Sequence, residues 1–273
     1  MRRGMGWVFS GLGLAAAALL AGLALPGRAA WAPPVPPPPG ASGSAFLVAP
    51  GLLVTNLHVV LRCRAEGLPL TMGGPGFPLR LLAEDASTDL ALLGGGPEGG
   101  GLLPLSAARQ LPPGLPVMML GYPAGVASGG GPRATPGAIR RAALTVHDPE
   151  TGRATSFVAT DRAGREVPAD WEDGLRYFGA AQAERLRWRL EIGAETGGGS
   201  SGGPVLDAAG QVVGVVYAGG QGFTSAVPLG DLREFLARAG VTPAFGPPAP
   251  AGRPLEWEEL RDRAMAATWR IAC

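Results

Sequence analysis

Glycine and proline interrupt this chain so often that long regular elements are excluded over most of it. Its 273 residues include 45 glycines and 28 prolines, and these do not follow the triplet period of collagen. Short apolar runs lie between them, which is the pattern of short strands joined by tight turns rather than of a helical bundle. The predicted fold class is therefore all-β. The predicted strands cover residues 45–48, 52–54, 77–82, 90–93, 117–120, 138–145, 156–159, 186–192, 205–206, 212–217 and 224–227.

Residues 186–192 show the clearest strand periodicity. Apolar side chains alternate there with Arg187, Arg189 and Glu191, which is the period of a half-buried strand. Residues 207–210 lie between two apolar runs and predict a hairpin turn.

Helix is predicted only late in the chain. Asp231 is placed to cap a first helix, with Glu234 as the reciprocal partner and Gly240 as the stop. A second amphipathic helix is predicted at about residues 255–267 within a tail that covers residues 241–273.

The N-terminal segment has the layout of an export signal. An apolar stretch over residues 7–25 follows two arginines and precedes small residues at 27–29, which predicts a signal peptide over residues 1–29. An uncleaved anchor is the alternative, since about 19 apolar residues just span a bilayer. Residues 30–43 are proline-rich and predict a stiff linker. We therefore expect an exported protein, periplasmic or secreted, with no stable membrane partner after cleavage.

Charge excludes one class of partner. The formal net charge is +1, and all 23 basic residues are arginines that form no basic block. Proteins that bind nucleic-acid backbones or acidic membranes concentrate positive charge, so no nucleic-acid partner is expected. With 46% hydrophobic residues, the chain is able to bury a core in one large domain or two fused lobes.

Cys63 and Cys273 are the only cysteines. In an exported chain an even pair predicts one disulfide, which would tie the final residue to the first part of the fold. Two unrelated free thiols are the alternative. Two cysteines and two histidines, one of which has a catalytic use, do not favour structural zinc, so no metal and no organic cofactor are predicted.

The strongest local signal is Gly-Ser-Ser-Gly-Gly-Pro at residues 199–204. A nucleophilic serine needs an exposed hydroxyl and neighbouring backbone N–H groups that face the oxyanion of a tetrahedral intermediate. Glycines allow this turn, because they tolerate unusual dihedrals and let a substrate approach the main chain. Ser201 is therefore the candidate nucleophile, and the N–H groups of Gly199 and Ser201 are the candidate oxyanion hole. A merely flexible glycine-serine loop is the alternative.

Two further residues supply what such a serine requires. An imidazole must take the proton of the hydroxyl, and His58, at the end of an apolar run, suits this role better than His147 in a polar turn. A rigid carboxylate must orient the imidazole, and Asp89 opens the apolar run 90–93. A structural core histidine and a turn-capping aspartate are the alternatives at these two positions.

The order His58, Asp89, Ser201 is that of chymotrypsin and differs from the orders in subtilisin and the α/β-hydrolases. At these residues the chain resembles the trypsin-like serine proteases, particularly the protease domain of the bacterial Do-like, or high-temperature-requirement, proteases. The resemblance extends over residues 43–238. It is carried by the segments 43–48, 55–60, 89–93, 121–125, 135–139 and 199–205.

This resemblance implies two six-stranded antiparallel β-barrels with the triad in the cleft between them. The protease domain would cover residues 44–240, with lobes at about 44–115 and 116–240, and the tail would pack back through Cys273. The family often appends PDZ domains, which are not expected here, so the oligomeric state stays open. Leu57 and Ser200 depart from the family pattern without removing a catalytic atom.

The resemblance also indicates substrate-binding residues. Tyr217, Ala218 and Gly219 are expected to pair with an extended substrate as an added strand. Glu195 is placed at the base of the primary pocket, where it would favour a basic side chain, and a solvated Glu195 is the alternative.

The sequence thus predicts a serine endopeptidase that hydrolyses polypeptide substrates through an acyl-enzyme. A catalytically silent, protease-like peptide-binding module of the cell envelope is the alternative. An esterase of unrelated fold would need a helix after the nucleophile, and Pro204 with the strand-like pair 205–206 argues against it.

Overall fold

The structure is a computed structural model. It describes residues 41–73, 77–99, 101–124, 131–147, 154–167, 186–220, 222–246 and 257–273, all of them within a unit that begins at Pro39. The predicted signal peptide and most of the predicted linker lie outside the described residues. Within the described part of the chain, no helix combines the length and apolar character needed to cross a membrane.

Fifteen strands and three helices are described. The strands are β1 (Ser42–Ala49), β2 (Leu52–Asn56), β3 (Thr71–Met72), β4 (Arg80–Asp85), β5 (Leu90–Gly94), β6 (Pro116–Gly121), β7 (Arg133–His147), β8 (Ala154–Phe157), β9 (Ala159–Thr160), β10 (Glu166–Val167), β11 (Leu186–Ile192), β12 (Pro204–Asp207), β13 (Val212–Gly220), β14 (Phe223–Pro228) and β15 (Thr268–Ala272). The helices are α1 (Leu57–Ala65), α2 (Leu229–Arg238) and α3 (Trp257–Ala267).

The strands form two antiparallel sheets. The first sheet has six strands in the order β3-β15-β1-β2-β5-β4. The second has the order β11-β14-β13-β12-β6-β7-β8, and β11 also pairs with β7, which closes a ring of six strands with β8 added outside. We call the first sheet with α1 the first lobe, and the second sheet with α2 the second lobe. This architecture confirms the prediction of a mostly β, trypsin-like fold with few short helices.

The core lies inside each lobe and between them. Leu47, Leu53 and Leu93 belong to the interior cluster of the first lobe, and Val117 and Val213 to that of the second. A further cluster contains buried residues of both sheets together with residues of the two late helices. Its members include Phe46, Leu92, Met118, Leu206, Phe235, Leu260 and Ala264.

The C-terminal tail joins both lobes. Helix α3 packs into the cluster between the lobes, and β15 then enters the first sheet between β1 and β3. A disulfide joins Cys273 to Cys63 on α1, with their Cα atoms 5.6 Å apart. The predicted disulfide is confirmed. Helix α3 agrees with the predicted second helix, whereas β15 was not predicted.

Two local predictions need correction. Asp231 lies in the first turn of α2 rather than at its cap, because the helix begins earlier, at Leu229, after Pro228. In β11 the predicted alternation holds for Leu186, Leu190 and Ile192, which are buried, but Trp188 is 41% exposed, whereas Arg189 and Glu191 are 4% and 7% exposed. Glu191 accepts a hydrogen bond from Nε of Arg141, and Arg189 has the partners described below, which make their burial possible.

Candidate active site

His58 lies where β2 passes into α1. The strand ends at Asn56, and the helix begins at Leu57, so His58 stands in the first helical turn with its side chain 48% exposed. The carbonyl oxygen of Asp89 accepts hydrogen bonds from the Leu57 N–H and from Nδ2 of Asn56, each at 3.0 Å. These two bonds hold the junction between β2 and α1 in place against Asp89, whose carboxylate faces the imidazole.

The Asp89 carboxylate holds His58 at two points. Its Oδ2 lies 2.6 Å from Nδ1 of the imidazole, and its Oδ1 accepts the backbone N–H of His58 at 2.9 Å. A carboxylate only accepts hydrogen bonds, so Nδ1 carries the proton of a neutral imidazole and Nε2 is left as the basic nitrogen. The structure therefore brings together the predicted histidine and aspartate in the geometry that orients a general base.

Asp89 has an unusual backbone conformation. Its φ is +63°, and among the described residues it is the only one other than glycine with a positive φ. Aspartate tolerates the left-handed region better than most residues, at a cost of about 1–3 kcal/mol. Strain of this kind persists where surrounding contacts determine the conformation, and both carboxylate oxygens and the carbonyl of Asp89 have such contacts.

Glycines shape the loop that carries Ser201. Gly199 and Gly202 have φ values of +90° and +87°, which side chains rarely allow. A methyl group at Gly203 would overlap the carbonyl oxygen of Leu120, and one at Gly202 would overlap the carbonyl oxygen of Ser44. The loop thus packs backbone against backbone, as the sequence prediction required.

Ser44 ties this loop to the first lobe. Its N–H donates to the carbonyl of Ser201 at 2.8 Å, and its hydroxyl donates to the carbonyl of Gly199 at 2.9 Å. The same hydroxyl accepts the N–H of Tyr122 at 2.9 Å, and the Ser44 carbonyl accepts the Thr55 hydroxyl at 2.7 Å. In the sequence, Ser44 belongs only to the segment 43–48 that carries the family resemblance, one residue before the predicted strand 45–48, and no role was predicted for it.

Tyr217 contacts two of the three predicted catalytic residues. Its carbonyl accepts the Ser201 hydroxyl at 2.9 Å, and its ring meets the His58 ring edge-on, with centroids 5.7 Å apart. Within the described part of the chain, the Ser201 hydroxyl bonds this carbonyl rather than the imidazole, and the N–H groups of Gly199 and Ser201 donate to no backbone acceptor.

Burial also changes the pKa of the Tyr217 phenol, next to His58 and Ser201. It raises the pKa of the Tyr217 phenol, and the nearby Asp89 carboxylate raises it further. The phenol therefore stays neutral over the whole physiological range and contributes a ring and a carbonyl rather than a charge.

The predicted substrate-binding residues lie in two places, on strand β13 and in the loop that follows β11. Ala218 and Gly219 follow a bulge at Tyr217 and pair on one side with Ser225 and Thr224 of β14. Glu195 is exposed, and its Oε2 accepts the N–H of Gly222 at 3.2 Å, so the structure places it at the surface and not at the base of a buried pocket.

Two buried threonines stand next to that position. Thr196 is 5% exposed, and its hydroxyl lies 3.2 Å from that of Thr224, which also accepts the Thr196 N–H. A side chain at Gly219 would overlap the Thr196 carbonyl.

No group of three or more His, Cys, Asp or Glu side chains among the described residues has the arrangement of a metal site.

The comparison with known families decides the assignment. The model of the trypsin-like peptidase domain matches residues 43–215. The chain belongs to this family. The match begins in β1 and ends in β13, so it includes His58, Asp89 and the Ser201 loop.

Two curated relatives are similar to this chain at low sequence identity. Serine protease Rv3671c of Mycobacterium tuberculosis H37Rv is 28% identical over 221 residues, which are 75% of this chain and 43% of that protein. The uncharacterized protein y4bJ of Sinorhizobium fredii is 25% identical over 260 residues, 88% of this chain and 34% of that one. The chain therefore spans less than half the length of either relative.

A solved structure supports the fold. The HtrA-type protease AlgW, solved with a decapeptide, superposes with a TM-score of 0.50 and 23% identity, over 72% of this chain and 51% of that chain. The resemblance to trypsin-like proteases inferred from the sequence motifs is thus confirmed at the level of the family, and the likeness to the HtrA-type protease supports the fold.

Proposed function

We propose that this protein is a serine endopeptidase that hydrolyses peptide bonds through an acyl-enzyme. Ser201 is the nucleophile, His58 acts as general base and then as general acid, and Asp89 orients the imidazole. The observation that carries the proposal is the double contact of the Asp89 carboxylate with His58, at Nδ1 and at the backbone N–H, which leaves Nε2 as the basic nitrogen.

In the proposed reaction, the Ser201 hydroxyl turns from the Tyr217 carbonyl towards Nε2 of His58. Such catalytic hydrogen bonds are often poorly aligned before substrate binds. The hydroxyl then attacks the peptide carbonyl as its proton passes to Nε2, and Asp89 stabilises the imidazolium. The imidazolium gives the proton to the leaving amine, and a water molecule repeats the sequence to release the acyl group.

The negative oxygen of each tetrahedral intermediate would face the N–H groups of Gly199 and Ser201. Two features support this role: both donors are free of backbone acceptors in the described residues, and the Ser44 hydroxyl holds the carbonyl of Gly199 on the other side. Removal of one such donor typically costs about 100-fold to 1,000-fold in kcat.

An extended peptide is the proposed substrate. Residues 218–220 pair with β14 on one side, whereas the pairing of β13 with β12 ends at Val215 among the described strands. The other edge of residues 218–220 is therefore open to a substrate strand, which would gain main-chain hydrogen bonds there.

We also propose that the protein is exported, with a signal peptide over residues 1–29 and a protease domain over residues 44–240. The Cys63–Cys273 disulfide supports this, because such bonds persist in oxidising compartments. N-terminal sequencing of the mature protein from periplasmic and culture fractions tests it. An intact N-terminus in the cytoplasmic fraction would contradict the proposal.

A fluorophosphonate probe tests the activity most simply. The wild-type protein should be labelled at Ser201 and should cleave a peptide library, whereas Ser201→Ala should do neither. Ser200→Ala, which changes the neighbouring buried hydroxyl, is the matched control and should retain labelling.

A catalytically silent peptide-binding module is the second candidate. It is favoured by one observation, the bond of the Ser201 hydroxyl to Tyr217 instead of His58. Wild-type protein that binds peptides but neither reacts with the probe nor cleaves any library member would establish this alternative.

A further inference from the structure

Arg189 is a buried cation beside the proposed triad. It lies on β11 of the second lobe and is 4% exposed. Its guanidinium carbon stands 4.6 Å from the centroid of the Tyr217 ring. Guanidinium groups stack favourably on aromatic faces, and they do so more strongly away from water. The contact therefore fixes the ring that meets His58 and the strand residue whose carbonyl holds Ser201.

Arg189 also reaches the first lobe. Its Nη2 donates to the carbonyl of Thr88 at 3.3 Å, and its Nη1 donates to the carbonyl of Trp188 at 3.0 Å. Two residues earlier on the same strand, Nε of Arg187 donates to the carbonyl of Ser87. The second lobe thus holds two successive carbonyls of the turn that leads into Asp89, which is the residue with the strained φ.

The charge of Arg189 has acidic neighbours on two sides. Burial lowers the pKa of its guanidinium, while Asp89 and Asp231 act in the opposite direction through their negative charges. An arginine side chain remains protonated in proteins even when it is buried. Burying a cation costs free energy unless other groups compensate its charge. The burial of Arg189 near the Asp89 carboxylate therefore indicates a specific role for its guanidinium.

We propose that Arg189 is a positioning residue of the catalytic centre, which holds the turn before Asp89 and the Tyr217 ring in register across the two lobes. This inference rests on the proposed function. Arg189 touches neither substrate nor reacting atoms; it acts through Asp89 and Tyr217. This role explains why β11, whose sequence has the period of a half-buried strand, turns the charged side chain of Arg189 into the protein.

The first test measures the rate of fluorophosphonate labelling. Arg189→Met, which keeps the length but removes the charge and the donors, should label about tenfold to 100-fold more slowly, because small displacements of catalytic groups have effects of this size. Arg189→Lys keeps the charge without the planar fork and should recover only part of the rate. Arg80→Met, on the exposed strand β4, is the matched control and should label at the wild-type rate.

The second test does not require activity. In the full chain carrying Ser201→Ala, two-bond ¹H–¹⁵N spectra at about pH 9 report which nitrogen of the neutral His58 ring carries the proton. His147→Gln assigns the signals, since the chain has two histidines. Arg189→Met should decrease the fraction protonated at Nδ1, because the Asp89 carboxylate loses its fixed position, and Arg80→Met should not.

A decreased Nδ1-protonated fraction in Arg189→Met, with a thermal midpoint that shows a folded protein, supports the proposal. An unchanged fraction overturns it, whatever the labelling rate. If Arg189→Met does not fold, the same spectra are recorded for Arg189→Lys. A decreased Nδ1-protonated fraction then supports the proposal, and an unchanged fraction overturns it. Failure of the endopeptidase proposal gives a different result, because wild-type protein would then show no labelling while the spectra still report on Arg189.

Discussion

The sheets of the two lobes draw their strands from the chain in different ways. The ring of the second lobe uses strands from one continuous part of the chain, β6 to β14. The sheet of the first lobe is completed by β15, which comes from the end of the chain, and the disulfide spans a sequence separation of 210 residues. The sheet of the first lobe therefore includes a strand from a distant segment, whereas the ring of the second lobe does not.

The lobes also contribute different chemistry. In the proposed mechanism, the first lobe supplies the side chains of His58 and Asp89, which hydrogen bonds to the carboxylate hold in place. The second supplies Ser201 on a loop that glycines shape through close backbone packing. Side-chain substitutions should therefore damage catalysis in the first lobe, and added atoms should damage stability in the second.

Asp89→Asn should have the largest effect. The carboxylate accepts hydrogen bonds from both the backbone N–H and the Nδ1–H of His58, whereas an amide has one accepting oxygen and an NH2 group that donates. The imidazole should therefore lose the correct tautomer, and kcat for peptide cleavage should fall by about 10⁴-fold. Steady-state kinetics measure this, and circular dichroism checks the fold. A loss of less than about tenfold would contradict the role of the carboxylate.

Gly203→Ala should destabilise the second lobe by about 4 kcal/mol or more, because its methyl group would overlap the Leu120 carbonyl. Gly198→Ala is the matched control in the same loop, since a methyl group there meets no atom within 4 Å. Urea unfolding measures both. Equal stability of the two variants would contradict the close backbone packing of the loop.

Removal of the disulfide should affect the first lobe. The double variant Cys63→Ser, Cys273→Ser should lose about 2–5 kcal/mol of unfolding free energy. Reduced wild-type protein is the control and should show a similar loss. Amide hydrogen exchange should localise the increased opening to β15, β1 and α1, and an increase confined to the second lobe would contradict the comparison.

Ser44→Ala should have the smallest effect, about 1–3 kcal/mol, because it leaves buried partners unpaired. Ser225→Ala is a matched control: Ser225 is also buried, but its hydroxyl has no hydrogen-bond partner among the described residues, so its loss should be neutral or stabilising. Thermal unfolding distinguishes them. A Ser225 variant that is less stable than the Ser44 variant would contradict the assigned hydrogen bonds.

The sequence predicted the elements with local signals. The bounds of β11, the hairpin at residues 207–210 and the helix near residues 255–267 follow from periodicity and turn residues within a few positions. The glycine-rich loop and the order of the three catalytic candidates indicated the family, which the family model confirms.

Features that depend on distant partners were not predictable in the same way. Strand β15 exists because β1 and β3 offer edges to residues 268–272, and nothing within those residues specifies that pairing. Helix α1 continues an apolar run that looks like strand, with β-branched Val59 and Val60 in its first turns. The inward turn of Arg189 requires the Tyr217 ring and the Thr88 carbonyl, which only the folded chain supplies.

A crystal structure of the protein after reaction with a fluorophosphonate tests the central claim most directly, that His58 and Asp89 of one lobe and Ser201 of the other form one catalytic centre. We predict a covalent bond to the Ser201 oxygen, a phosphonyl oxygen hydrogen-bonded to the N–H groups of Gly199 and Ser201, and His58 Nε2 within hydrogen-bond distance of the adduct. An unmodified Ser201, or an adduct whose oxygen faces neither N–H group, would contradict the account.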